Sequence, residues 1–313
     1  MTVLRTFRLV ALATVVLLVL AACASGDDTE TTATSPPTDT NETSEPSPDD
    51  TAGGQAEAEL PADELRLTLE QQLGHHARLA IEAMRAGVRG EPDFEAAGAA
   101  LARNTDDLTS SIELVYGAEG AQSFRAMWEN HINFFVQYTT GLATGDEAAR
   151  EEARTNLDQY RQDFAGFMET ASEGNIPADV VLQGLQAHVE QLIGQIDAFH
   201  AGDYDTAYML EREAYAHMFG TAQALAGGIA AQFPERFPAD GEQMSDAGHT
   251  ATHVNDEVAQ SDTEGDTLPA VELRATLRQQ LGEHAKAAMV AMRKGVRGEP
   301  DFEAAGAALA RNT

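Results

Sequence analysis

Two stretches of this 313-residue chain, 64–105 and 272–313, are the same sequence apart from eight aligned positions. Whatever secondary structure the first stretch adopts, the second must adopt too, because their hydrophobic patterns are nearly identical. The offset of 208 residues is too long for a solenoid repeat and suits a duplicated domain. The expected organisation is therefore one complete domain, a linker, and a second copy that reaches only its first hairpin. The differing pairs are Leu67/Ala275, Glu70/Arg278, His75/Glu283, Arg78/Lys286, Leu79/Ala287, Ile81/Met289, Glu82/Val290 and Ala86/Lys294. They separate two neighbouring histidines: His75 becomes Glu283, whereas His76 is kept as His284.

Between residues 62 and 237 the apolar residues recur with helical period, and alternating β-branched runs are scarce. Three long helices end in turns made of glycine and aspartate, at Gly90/Asp93, Gly145/Asp146 and Gly202/Asp203. Glycine ends a helix and aspartate caps the next, which is the chemistry of a tight αα-hairpin. Gly117 and the Gly174-Asn175-Ile176-Pro177 run separate the hairpins. The fold expected is all-α, an antiparallel helical bundle of three αα-hairpins followed by the truncated copy. That copy, residues 269–313, carries an apolar face with no helices of its own to cover it. It is expected to fray, to dock on the first domain, or to pair with another chain.

His76, His131 and His188 lie 55 and 57 residues apart, one on the first helix of each hairpin. Each falls on the apolar stripe of its helix, as in Leu65, Leu69, Leu73, His76, Ala80 and Ala83. Three imidazoles projecting from facing helices suit copper or zinc. A fourth ligand is open among His217, Met218, Asp107 and water, with Glu213 placed to orient His217 from the preceding turn. The competing expectation is structural, with the histidines bridging helices inside a scaffold or interaction module.

Sharper chemistries fail on spacing. The chain has no Glu-x-x-His pair for a di-iron bundle and no His-Glu-x-x-His zinc motif. Its one His-x-x-x-His pair, His249 and His253, stands in the polar linker 238–268. No nucleophile elbow, P-loop or dinucleotide fingerprint occurs, so no enzyme class is indicated and no catalytic residue is assigned. A net charge of −31 argues against nucleic acid and against electrostatic binding to anionic lipid.

Residues 1–22 read as an export signal: Arg5 and Arg8, then a short apolar run over 9–20. Leu20-Ala21-Ala22-Cys23 resembles the lipobox of bacterial lipoproteins. That resemblance implies cleavage before Cys23, lipid on its thiol, and an anchor in the cytoplasmic membrane on its extracytoplasmic face. Cys23 is the only cysteine, so no disulfide can form within the chain. Residues 23–61 are acidic and rich in Thr, Ser and Pro, with the composition of a disordered tether. The partners expected are the membrane, through that lipid, and a protein of the cell envelope. The stretches Leu73-Gly74-His75-His76, Arg103-Asn104-Thr105-Asp106 and Gly227-Gly228-Ile229-Ala230 loosely resemble an uncharacterised class of exported helical proteins of Gram-positive bacteria. That resemblance implies no activity.

Overall fold

A computed structural model describes residues 62–238 and 270–312. The expected export signal over 1–22, Cys23, the expected tether over 23–61 and the linker histidines lie outside the described residues. The described residues are all-α: α1 Ala62–Arg89, α2 Phe94–Thr144, α3 Glu147–Ala171, α4 Ala178–Ala201, α5 Tyr204–Gln232, α6 Ala270–Arg297 and α7 Phe302–Ala310. None of these helices is long and apolar enough to cross a membrane.

Local chemistry accounts for most of the boundaries. Gly145 and Gly202 close α2 and α4 in the left-handed conformation, each donating its N–H to the preceding turn. Asp146 and Asp203 then cap α3 and α5 by accepting from the N–H groups of Ala149 and Thr206. Asp93 departs from this pattern and caps nothing. Its carboxylate is taken instead by Arg297, 3.0 Å away in the second copy. Gly117 marks the expected boundary between hairpins as a bend rather than a loop. At φ 73° and ψ 177° it interrupts α2, which continues on both sides.

The bundle is organised around α1, which packs against α2, α4 and α5 and carries α6 on its outer side. Its interior consists of two apolar clusters. One gathers Leu69, Leu73, Phe124, Trp128, Phe164 and Met218. The other gathers Ile81, Phe135, Leu157, Leu192 and Ile196 with their neighbours. Along α1, α2 and α4 the stripe histidines fall between the two, so a polar layer divides the core. The tail lies on α1 and α5, sharing a small cluster of Tyr208, Val290, Ala291 and Ala305. It docks through its polar side, and its own core stripe faces outward: Leu281 is 65% exposed where its counterpart Leu73 is 4%.

Candidate functional site

Helical periodicity carries His76 of α1, His131 of α2 and His188 of α4 to one level of the bundle, where all three are buried. Nε2 of His76 and Nε2 of His131 are 3.3 Å apart. The His76 ring centroid lies 5.3 Å from that of His131 and 6.0 Å from that of His188. Trp128 packs against both His76 and His131, with ring centroids 4.6 Å from each. Tyr160 of α3 stacks on His131 at 4.9 Å, the planes only 15° apart. Neither Trp128, three residues before His131 on α2, nor Tyr160 was among the sequence candidates. The one available signal for Tyr160 was its position four residues before Phe164 on the apolar side of α3.

Burial governs the charge state of the cluster. Desolvation, reinforced by the neighbouring imidazoles, pushes His131 and His188 down from 6.5 to about 3. The Trp128 backbone opposes this at His131 without reversing it. Burial, with His131 alongside, holds His76 well below its ordinary value. All three rings are therefore neutral at pH 7, and each offers a nitrogen lone pair with no proton to displace.

A neutral imidazole has one donor and one acceptor. The Nδ1 atoms of His76, His131 and His188 have no hydrogen-bond partner within the protein, and neither do Trp128 Nε1 and Tyr160 Oη. Leaving a buried polar atom unpaired costs about 1–3 kcal/mol, so five around one space is a concentration that calls for a ligand or water. They border a cavity of about 380 Å³ whose other walls include Phe124 and Phe164. That volume exceeds a bare ion and falls in the range of small-molecule sites, roughly 300–1,000 Å³. The cavity extends to Gln183, Gly220 and Ala224, exposed residues of α4 and α5, so its mouth lies between those helices.

The remaining candidates separate. His217 lines the cavity near the mouth, where its Nε2 donates to the Gly184 carbonyl at 2.9 Å and meets the Thr221 hydroxyl at 3.4 Å. The groups that orient it are therefore Gly184 and Thr221, and Glu213 stands exposed on the outer face of α5. Met218 is buried and lines the cavity. Asp107 is exposed, and Asp106 and Asp158 pair with Arg125 and Arg161, so these aspartates do not join the histidines. Asn104 and Thr105 are buried and hydrogen-bond backbone carbonyls, a packing role. Among the described residues no group of three or more His, Cys, Asp or Glu has the spacing of a formed metal centre. His76 and His131 are within hydrogen-bond distance of each other, and the His188 centroid is 6.0 Å from that of His76.

Compared with protein-family models, with curated proteins and with solved structures, the chain matches none.

Proposed function

We propose that the chain is a lipid-anchored, extracytoplasmic helical-bundle protein whose core binds a transition metal, copper or zinc, through His76, His131 and His188. The observation that carries this reading is the convergence of three neutral, buried imidazoles whose Nδ1 atoms are all unpaired. The Nε2 atoms of His76 and His131 are 3.3 Å apart. Two nitrogens bound tetrahedrally to zinc at about 2.0–2.1 Å are separated by about 3.3 Å. Turning the His188 ring into the cavity supplies a third nitrogen and leaves one position open to water or a small ligand. With no acid, base and nucleophile converging there, the role is binding or storage. The lipid anchor rests on Leu20-Ala21-Ala22-Cys23, and Cys23→Ala should release the protein from the membrane fraction.

Trp128 is the only tryptophan in the chain and touches two of the three imidazoles, so its fluorescence reports on the site. Titration with Cu(II) should quench it, and Zn(II) should compete, with one ion bound per chain by metal analysis. His188→Gln, the milder variant, and the triple His→Gln variant should lose this. If they bind copper and zinc as the parent chain does, the metal reading is wrong.

A second reading, a non-catalytic scaffold or interaction module of the envelope, is favoured by the absence of a formed three-ligand centre among the described residues. The melting midpoint discriminates: a metal bound by the native state raises it, and indifference to metal leaves the scaffold.

A further inference from the structure

The contacts between the two copies are reciprocal. Arg66 pairs with Glu272, and 208 residues on, Arg274 pairs with Glu64. Arg89 pairs with Glu299 and Asp301, while Arg297 pairs with Glu91 and Asp93. Swapped pairs of this kind mark a self-complementary contact about a two-fold axis. Because like ends meet, α1 and α6 run parallel and the axis lies along them. The docked tail also keeps its own core stripe free. Met289 and Met292 are 57% and 63% exposed where Ile81 and Met84 are buried. That stripe is the face a bundle's remaining helices cover, so the contact is compatible with two bundles lying side by side.

The differences between the copies fall on this contact. Seven of the eight pairs, at 70/278, 75/283, 78/286, 79/287, 81/289, 82/290 and 86/294, line the clefts between α1, α5 and α6. Their chemistry is complementary rather than symmetric. Glu82 of the first copy is bonded by Lys286 and Arg293 of the second. Glu283, which replaces histidine, pairs with Arg212 of α5. Lys294, which replaces alanine, is buried beside Glu91, Glu299 and Asp301.

Two first copies would meet less well. Val290 shares a cleft with Glu82 and its counterpart is Glu82 itself, so two first copies would bring two carboxylates to that cleft. The counterpart of Lys294 is Ala86, which brings no cation to the acidic cluster. We infer that this face of α1 is a pairing surface for the second copy of the domain. Its divergent residues select that copy over another first copy, by removing partners from the wrong pairing as well as adding them to the right one.

Hydrogen exchange of α6 amides in the full chain tests this. Lys286→Glu with Arg293→Glu should raise α6 exchange by at least about tenfold, to the level of an undocked helix. Adding Glu82→Lys should restore protection. Returning the tail to first-copy residues, with Arg278→Glu, Val290→Glu and Lys294→Ala, should also expose α6. All tail variants leave the bundle untouched, and unchanged Trp128 fluorescence verifies that it remains folded. Unchanged protection in the reversed variant, or no rescue by Glu82→Lys, overturns the pairing surface. Full protection in the first-copy variant overturns the selectivity.

Discussion

A proton on any one of the three core histidines would place a cation beside two neutral rings in an apolar interior. The linkage follows from the depressed values. His131 and His188 titrate near 3 in the folded chain against 6.5 for a free imidazole. Between those values the unfolded chain holds more protons, so stability is greatest above about 6.5 and falls as pH drops toward 3. The slope is about 1.4 kcal/mol per pH unit for each histidine, hence about 2 kcal/mol each at pH 5. Urea unfolding of metal-free protein at pH 7.5 and pH 5 should show this. In His131→Gln the loss between those pH values should be smaller by about 2 kcal/mol. His217 acts differently, because it bridges α5 to α4 across the mouth through the Gly184 carbonyl. His217→Ala should speed metal exchange, read as the rate of copper removal by a chelator, with binding stoichiometry unchanged.

At the scale of elements, α5 approaches the turn before α4 more closely than a side chain permits. A Cβ on Gly228 would lie 2.4 Å from Ile176 and 2.9 Å from the Asn175 carbonyl oxygen, whereas one on Gly227 would meet nothing. Gly228→Ala should therefore destabilise by about 1–3 kcal/mol through forced displacement of backbone. Gly227→Ala, its neighbour, should stabilise by about 0.5–1 kcal/mol through helix propensity. Equilibrium unfolding of the pair separates packing from propensity. Gly117 requires glycine for a different reason: a Cβ there would meet nothing, but its φ of 73° with ψ of 177° suits glycine almost alone. Gly117→Ala should cost about 1–3 kcal/mol or straighten α2 and displace its first half. Loss of the Gln72–Asn104 hydrogen bond between α1 and α2 would report the second outcome.

In the whole molecule, two kinds of stabilisation coexist and respond to different conditions. The bundle rests on two apolar clusters, whereas the tail rests mainly on ion pairs at its polar side. Salt at 1 M shortens the screening length to about 3 Å, so α6 should lose exchange protection there while the bundle does not. Acid separates them as well. Burial would raise Glu82 and Asp301, but Lys286 and Arg293 hold the first below its ordinary value, and Lys294 and Arg89 the second. Carboxylates held low in the folded state contribute above their unfolded values, 4.5 and 3.8 here, and lose that contribution as pH falls further. Acidification should thus weaken the bundle from about pH 6.5 through its histidines, and release the tail only below about pH 4.

The sequence by itself determined the class of fold, the turns at Gly145/Asp146 and Gly202/Asp203, and the level at which His76, His131 and His188 sit. Each of these is local or periodic: a cap is set by a few neighbouring residues, and a stripe by spacing along one helix. The tertiary structure alone decided which groups meet. Tyr160 reaches His131 because α3 packs across α2, and the Asp93 carboxylate is bonded by Arg297, 204 residues away. The tail's docked side was equally hidden, since its apolar stripe pointed to the opposite face as the one to be covered. Pairing between distant segments depends on which surfaces are left free once each bundle has buried its core, and no window of sequence contains that information.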